Sequence, residues 1–294
     1  MQGRYQEDTT EQESRTCRSK IVMLHYDESM KSVQTGITRR GSRCGRTDRS
    51  KKKRGTKESM ITDQFGKKWY KGNLHTHSTN SDGRLSPEEV IGLYREEGYD
   101  FLALTDHWFM GEERQEENFL LLSGAEYDVG NNVRDGIYHV VGIGMQKEPK
   151  LEKGPELQEK QAQLMIDRIH EAGGIAILAH PAWSMNRASE VRLLKDLDGC
   201  EIYNTTSGVP WNCRPYSGII LDELAAQGYV LPCMAADDAH QYTGDETKSY
   251  LMVQADELSR DAILEAIAQG RFYASQGPRF WIEKKDNSLI VHST

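Results

Sequence analysis

Two histidines one residue apart, His75 and His77, stand in Asn73-Leu74-His75-Thr76-His77, and an Asp–His pair follows in Ala103-Leu104-Thr105-Asp106-His107. In extended backbone, residues i and i+2 point to the same side. His75 and His77 therefore present two imidazoles from one face, with room for one ion between them. Further along, apolar strand-like runs again end in side chains able to hold a metal: Glu126 after Ser123-Gly124-Ala125, His139 in Tyr138-His139-Val140-Val141-Gly142, His180 in Ile177-Leu178-Ala179-His180-Pro181, and the pair in Asp238-Ala239-His240. Polar groups beside buried apolar strands are costly unless something pairs with them. A shared metal cluster supplies that pairing. Imidazoles and carboxylates without thiolate suit Zn²⁺, Mn²⁺ or Fe²⁺, and the donor set does not choose among them. The other three of the nine histidines are set aside: His25 lies in a polar N-terminal segment, His170 inside a helical pattern, and His292 close to the last residue.

The elements that must position these residues are short apolar runs alternating with helical patterns. Strands are predicted over 69–75, 101–105, 120–125, 138–143, 175–179, 200–203 and 230–235. Helices are predicted over 86–97, 157–172, 188–197, 218–227 and 259–269. The first helix has the clearest signals: Ser86 at the cap, Pro87 at the first helical position, Glu89 three residues after the cap, and Gly98 as the stop. Such alternation implies an α/β fold with a parallel sheet covered by helices. Seven units without a Gly-rich nucleotide loop favour a distorted (β/α)7 TIM-like barrel over an open dinucleotide fold. In barrels of this kind functional residues gather at the C-terminal ends of the strands.

Charge divides the 294 residues unevenly. Residues 1–59 hold 15 Lys or Arg against 8 Asp or Glu, a balance of +7, whereas residues 60–294 carry 22 against 37, a balance of −15. The first segment is poor in apolar residues, lacks periodicity and contains the run Lys51-Lys52-Lys53-Arg54, so it is expected to be a disordered basic extension. It is either a nucleic-acid or targeting element or a leader preceding a true start near Met60. Residues 60–294 form the expected catalytic domain. Five cysteines, an odd number with no CxxC spacing, argue against a disulfide scaffold or zinc ribbon. No run approaches the ~18 apolar residues of a membrane span. A soluble, cytoplasmic protein is expected, with no membrane partner.

With these motifs in hand, the chain resembles the PHP family, named for polymerase and histidinol phosphatase domains. The similarity runs from Trp69 to Pro278. It is carried by His75-Thr76-His77 with Ser81-Asp82-Gly83, by Thr105-Asp106-His107, by His180-Pro181 and by Asp238-Ala239-His240. The resemblance implies a distorted seven-stranded barrel holding two or three divalent metal ions. It implies one ion held by His75, His77, Glu126 and Asp238, and a second shared through Glu126 with His139 and His180. A third would use His107, His240 and Asp82, the last standing where some relatives carry histidine.

That arrangement suits hydrolysis by metal-activated water, because bound divalent ions bring the pKa of water from 15.7 to about 7. Asp238 and Glu126 are the expected catalytic carboxylates. Asp106 is expected either to orient a ligand histidine or to cap its turn. Asp237 is read as an acceptor supporting a ligand, as a loop cap or as a direct ligand, and Glu201 as a pocket-lining residue or a solvated or salt-bridged strand residue. Trp108, Trp183 and Trp211 follow strand-end motifs and are placed to stack on a substrate ring or to pack at the mouth. Arg134, Arg187, Arg214 and Arg279 are the loop cations available to a phosphate. The expected activity is a metal-dependent phosphoesterase on a small phosphomonoester of the nucleotide, nucleoside bisphosphate or sugar phosphate class, with a short oligonucleotide as a further partner. A branch of the family similar over Gly270-Arg271-Phe272-Tyr273-Ala274-Ser275-Gln276-Gly277-Pro278 implies a carboxyl ester or carbamate hydrolase instead. A non-catalytic metal-binding module is the reading from another class.

Overall fold

The computed structural model describes residues 60–132, 136–152, 158–286 and 288–293. The basic extension and Arg134 lie outside the described residues. In chain order the elements are β1 (Ile61–Thr62), β2 (Lys68–Asn73), α1 (Pro87–Glu96), β3 (Phe101–Ala103), β4 (Arg114–Glu116), β5 (Phe119–Leu122), β6 (Gly124–Asn132), β7 (Gly136–Ile143), α2 (Gln158–Glu171), β8 (Ile175–Leu178), α3 (Pro181–Ser184), α4 (Ala188–Val191), β9 (Gly199–Asn204), α5 (Gly218–Ala226), β10 (Cys233–Ala236), β11 (Tyr250–Gln254), α6 (Arg260–Ala268), β12 (Phe272–Ser275), β13 (Phe280–Lys285) and β14 (Ser288–Ser293). None of the helices among the described residues is long and apolar enough to cross a membrane.

Strand alternation explains how the layers assemble. In β3, Phe101 and Ala103 face one way and Leu102 the other; β5 does the same with Leu120 and Leu122 against Leu121. The first set joins Val141, Ile177, Met234 and Leu251 in a core between the sheets, whereas Leu102 and Leu121 pack beneath Val90, Ile91 and Tyr94 of α1. A third cluster packs Met165, Ile166 and Ile169 of α2 on Val140 and Leu178. The α1 helix starts as its sequence predicts, with both the Ser86 amide and its hydroxyl donating to the Glu89 carboxylate at 2.9 and 2.6 Å. It ends at Gly98, whose φ of 72° suits glycine.

The expected distorted (β/α)7 barrel is not found as a closed one: the described strands form two sheets. One runs β12-β11-β2-β3-β5-β4 with β1 paired to β2; the other runs β10-β9-β8-β7-β6; β13 and β14 form a separate hairpin. The physical reason lies at the edges that closure would use. One side of β2 is taken by β11 as far as Gly72, and one side of β3 by β5 as far as Ala103. Past those points single bridges, Thr76 to Ala239 and His107 to Glu126, connect the two sheets. The sheets are also not wholly parallel. The predicted 120–125 strand divides at Ser123 into β5 and β6, which belong to different sheets, and β6, β7 and β8 pair antiparallel in succession. A parallel β6–β7 pair would need a crossover of a dozen or more residues, and the polar, glycine-containing stretch between Asp128 and Gly136 contains no helical apolar repeat. Because β7 runs opposite to β8, His139 sits mid-strand, fourth of eight residues, and not at the predicted C-terminal end. The predicted helix 188–197 stops at Val191, and Asp196 takes a φ of 60° that no continuing helix allows. The strand expected from 230 starts only at Cys233, after Pro232, which has no N–H to donate.

Candidate metal centre

The two bridges that join the sheets are also the backbone supports of the site. Beyond β2 the chain stays extended between two neighbours: Thr105 N–H donates to Thr76 O at 2.8 Å, His77 N–H to Ala239 O at 3.0 Å, and Asp238 N–H to His75 O at 2.8 Å. His75 and His77 thereby lie alongside Asp238. Gly83 is needed next door, since a Cβ there would stand 2.5 Å from the backbone of His77. Two of the gathered residues adopt left-handed backbone, His180 at φ 28° and Asp238 at φ 54°, a conformation that costs a side-chain-bearing residue energy and clusters at functional sites.

All nine residues named as candidate ligands come together. His75 Nε2 lies 3.2 Å from Glu126 Oε2, 3.1 Å from Asp238 Oδ1 and 3.3 Å from His77 Nε2. His77 Nε2 in turn lies 3.1 Å from each of the same two carboxylate oxygens. Donors about 2.0–2.1 Å from one ion in tetrahedral array are separated by roughly 3.3–3.4 Å, so these four atoms have the spacing of a single ion's donor set. Glu126 Oε1 faces His139 Nδ1 at 2.7 Å and His180 Nε2 at 3.2 Å, while its Oε2 also faces His107 Nδ1 at 3.4 Å. A second potential group is therefore His107, Glu126 and His139, with His180 touching the same carboxylate. A third group is His77, Asp82, His107 and His240. His77 and His107 are thus shared between groups, which the motif-by-motif assignment did not anticipate.

The cluster's electrostatics fit a cation. Burial opposes charging of the His75 imidazole, yet Asp238, Glu126 and Glu201 outweigh it and raise its pKa well above the usual histidine value. The same contest, with Asp238 and Glu126 as partners, pushes His77 up to about 9. Burial also opposes ionisation of Glu126 and Asp238, but the surrounding imidazoles hold both carboxyls well below their ordinary range. His107, where burial prevails, is shifted down. Asp238 Oδ1 and His107 Nδ1 are buried without a hydrogen-bond partner. Orphaned donor atoms among ionised carboxylates are what a metal ion would satisfy.

Behind these residues lies a layer of which the sequence singled out only Glu201, as a pocket residue and not as a support for the ligands. Glu201 of β9 takes His75 Nδ1 at 2.7 Å on one oxygen, and the His180 N–H at 2.9 Å and Asn204 Nδ2 at 2.8 Å on the other. Asn204 Nδ2 also donates to Asp238 Oδ2 at 3.2 Å. One buried Glu–Asn pair thus sets His75, His180 and Asp238 from three separate segments. A carboxylate on the far nitrogen of a ligand histidine fixes its tautomer and aim. His240 is fixed in its own way, Nδ1 donating to Asp238 O at 2.7 Å. Asp106 does not orient a histidine: its carboxylate accepts from Ser78 N, Ser78 Oγ and Ser81 Oγ at 2.7–2.8 Å, holding the 78–81 turn. Asp237 faces away from the cluster, bonded to Tyr94 OH, Thr205 Oγ1 and the amides of Lys248 and Ser249; burial raises its pKa to about 6.

The cluster forms the floor of a cleft of about 300 Å³. Its described lining contains neither lysine nor arginine. Arg187 is 70 % exposed and paired with Glu190, and Arg214 is exposed on the 205–217 loop; Arg279, just before β13, is likewise absent from the lining. Of the three tryptophans, Trp183 and Trp211 line the cleft. Trp108 instead donates Nε1–H to Asp128 at 2.7 Å and packs edge-on to Tyr127.

No protein-family model matches the chain. Over 114 residues it is 34 % identical to a 5′-3′ exoribonuclease of Haemophilus influenzae, covering 35 % of this chain and 41 % of that protein. Over 146 residues it is 25 % identical to an uncharacterized protein of Methanocaldococcus jannaschii, covering 46 % of this chain and 81 % of that one. The match thus spans less than half the length of the exoribonuclease. Among solved structures, a two-domain protein from Bacteroides vulgatus containing a predicted PHP-like metal-dependent phosphoesterase superposes with a TM-score of 0.56 at 16 % identity, covering 82 % of this chain and 80 % of that one. The chain therefore has the PHP-like fold to which its histidine motifs point.

Proposed function

We propose that the chain is a metal-dependent phosphoesterase acting on a small phosphomonoester. The observation that carries this reading is the set of four buried donor atoms, on His75, His77, Glu126 and Asp238, at the mutual spacing of one ion's donors. His139 and His180 extend the set through Glu126, and Asp82, His107 and His240 extend it toward the cleft, so that two or three divalent ions are accommodated. When bound, such ions supply Lewis acidity toward the ester oxygen and activation of a water at neutral pH. The protein's own part is positional. Glu126 links the groups through both oxygens, Glu201 and Asn204 hold His75 by its far nitrogen, His180 by its backbone N–H and Asp238 by Oδ2, and Asp238, which lines the cleft, would carry a proton from the attacking water to the departing oxygen once released from the ion. The likeness to an exoribonuclease directs the substrate panel toward nucleotides and short oligonucleotides.

The cation-free lining supports a second reading, a carboxyl ester or carbamate hydrolase, since a neutral carbonyl substrate needs no Arg or Lys. The full set of ligand residues disfavours a module without catalysis. The deciding experiment is inorganic phosphate release by the full chain loaded with Mn²⁺ or Zn²⁺ across sugar phosphates, nucleotides and nucleoside bisphosphates, with His107→Ala and chelated protein as controls. Release confined to the loaded, unsubstituted protein is expected. Hydrolysis of carboxyl esters with no phosphate release would replace the first reading by the second.

A further inference from the structure

The cleft lining has two chemically distinct parts. Besides the carboxylates and imidazoles of the floor, the cleft is lined by Trp183, Thr206, Ser207, Trp211, Asn212 and Gln241, a set that carries no charge. Of the five tryptophans, four have an aromatic or imidazole ring partner: Trp69 on Tyr273, Trp108 on Tyr127, Trp183 on His139 and His180, and Trp281 on His292. Among the described residues Trp211 has no ring partner, although it is half-buried at the cleft. Its Cη2 tip lies against Gly244, 3.6 Å from where a Cβ would stand.

The loop that presents it is anchored before any ligand arrives. Ser207 N–H donates to Asn204 Oδ1 at 2.9 Å, Thr206 N–H to Asp237 O at 3.0 Å, Arg214 N–H to Ser207 O at 2.9 Å and Asn212 N–H to Gly208 O at 2.8 Å. Asn212 Oδ1 accepts the Cys213 N–H at 2.8 Å. No hydrogen bond among the described residues engages Asn212 Nδ2 or the side-chain amide of Gln241. A fixed aromatic face with no ring on it, flanked by unused amide donors and acceptors, is a receptor for a planar heterocycle with a hydrogen-bonding edge.

We propose that this uncharged set seats the base of a nucleoside monophosphate, with the base on Trp211, Asn212 and Gln241 at its edge, and the ester phosphate over the metal-binding floor. The inference rests on the phosphoesterase reading and narrows its substrate class. The cleft volume, about 300 Å³, is at the lower end for small-molecule sites and suits one nucleotide unit. The uncharged set disfavours a second phosphate on the ribose, and a bare sugar phosphate leaves the indole face empty.

The test compares kcat/KM of the Mn²⁺-loaded full chain for AMP, ribose 5-phosphate and adenosine 3′,5′-bisphosphate, in the unsubstituted protein and in Trp211→Ala and Trp211→Phe. Saturation-transfer NMR with adenosine, which has no phosphate, gives a second readout. AMP is expected to be preferred, and Trp211→Ala to reduce its advantage over ribose 5-phosphate by roughly 5- to 150-fold, the range for one lost base–aromatic stack. Trp211→Phe, which retains a ring, should recover most of that loss. Saturation of the base protons should disappear in Trp211→Ala and remain in Trp211→Phe. Equal use of AMP and ribose 5-phosphate, or a ratio unmoved in Trp211→Ala, overturns the base site, and preference for the bisphosphate overturns the restriction to a monophosphate, each while leaving the phosphoesterase reading intact. Base protons that saturate on a protein releasing no phosphate from any of the three substrates refute the phosphoesterase reading and leave the base site standing.

Discussion

Replacing Glu201 by Gln tests the supporting layer with little change in shape. The three groups facing the carboxylate are all donors: His75 Nδ1–H, His180 N–H and Asn204 Nδ2. The Asn204 amide cannot turn round without loss, because its Oδ1 accepts the Ser207 N–H at 2.9 Å. Glutamine offers one acceptor oxygen and one NH₂, so one donor must face another. His75 can relieve the clash by accepting on Nδ1, but its proton then moves to Nε2, the atom 3.1–3.3 Å from Glu126, Asp238 and His77. A protonated Nε2 cannot ligate. Partners of this kind typically change metal affinity 10- to 100-fold, which is about 1.4–2.7 kcal/mol. Without the proton shift, the unmet buried donor instead costs about 1–3 kcal/mol of folding stability. Competition against a chelator measures the affinity, and ¹⁵N-resolved NMR of the imidazole reads the tautomer. The expected outcome is Nε2–H on His75 with affinity down by one to two decades. A Gln variant that keeps Nδ1–H, full metal affinity and full stability refutes the assigned role of Glu201.

Glu126→Gln removes charge from the one carboxylate that faces five imidazoles; turnover should fall by more than the roughly 100-fold typical of a residue that only supports a ligand, and elemental analysis should show fewer bound ions. Gly83→Ala places a Cβ 2.5 Å from the His77 backbone, so denaturant unfolding should show a loss of about 1–3 kcal/mol. His170, on the last turn of α2, has its pKa raised chiefly by its 2.8 Å hydrogen bond to Asp198. A raised histidine pKa stabilises the fold fully below the unfolded value of about 6.5 and loses that contribution as pH climbs through the folded value. The stability difference between unsubstituted protein and His170→Gln should therefore be largest below about pH 6.5 and shrink above it, staying under about 1 kcal/mol because the pair is part-exposed.

How far the residues announce this fold depends on the range over which their information acts. The His75–His77 pair was legible because a two-residue spacing has one geometric meaning in extended backbone, and α1 because its start and stop signals are local. The closed barrel was a different kind of inference. It required that the predicted strands close on one another in chain order; the second and third do pair, as β3 and β5, but β11, a late strand that was not predicted, takes one side of β2, and no local pattern in Tyr250–Gln254 specifies that choice. Glu201 shows the same limit within the site. In Cys200-Glu201-Ile202-Tyr203-Asn204 it is a lone acid in a strand, yet its meaning comes from His75, 126 positions earlier. One signal was available: Glu201 and Asn204, three apart at the end of β9, are both buried, and a buried acid next to apolar strands must find donors. Had burial of β9 been inferred from its neighbours, Glu201 would have joined the histidines as a residue requiring a partner. The need of buried polar groups for partners therefore reaches one layer beyond the ligands, and it is that outer layer, Glu201 with Asn204, that ties donors from three separated segments into one site.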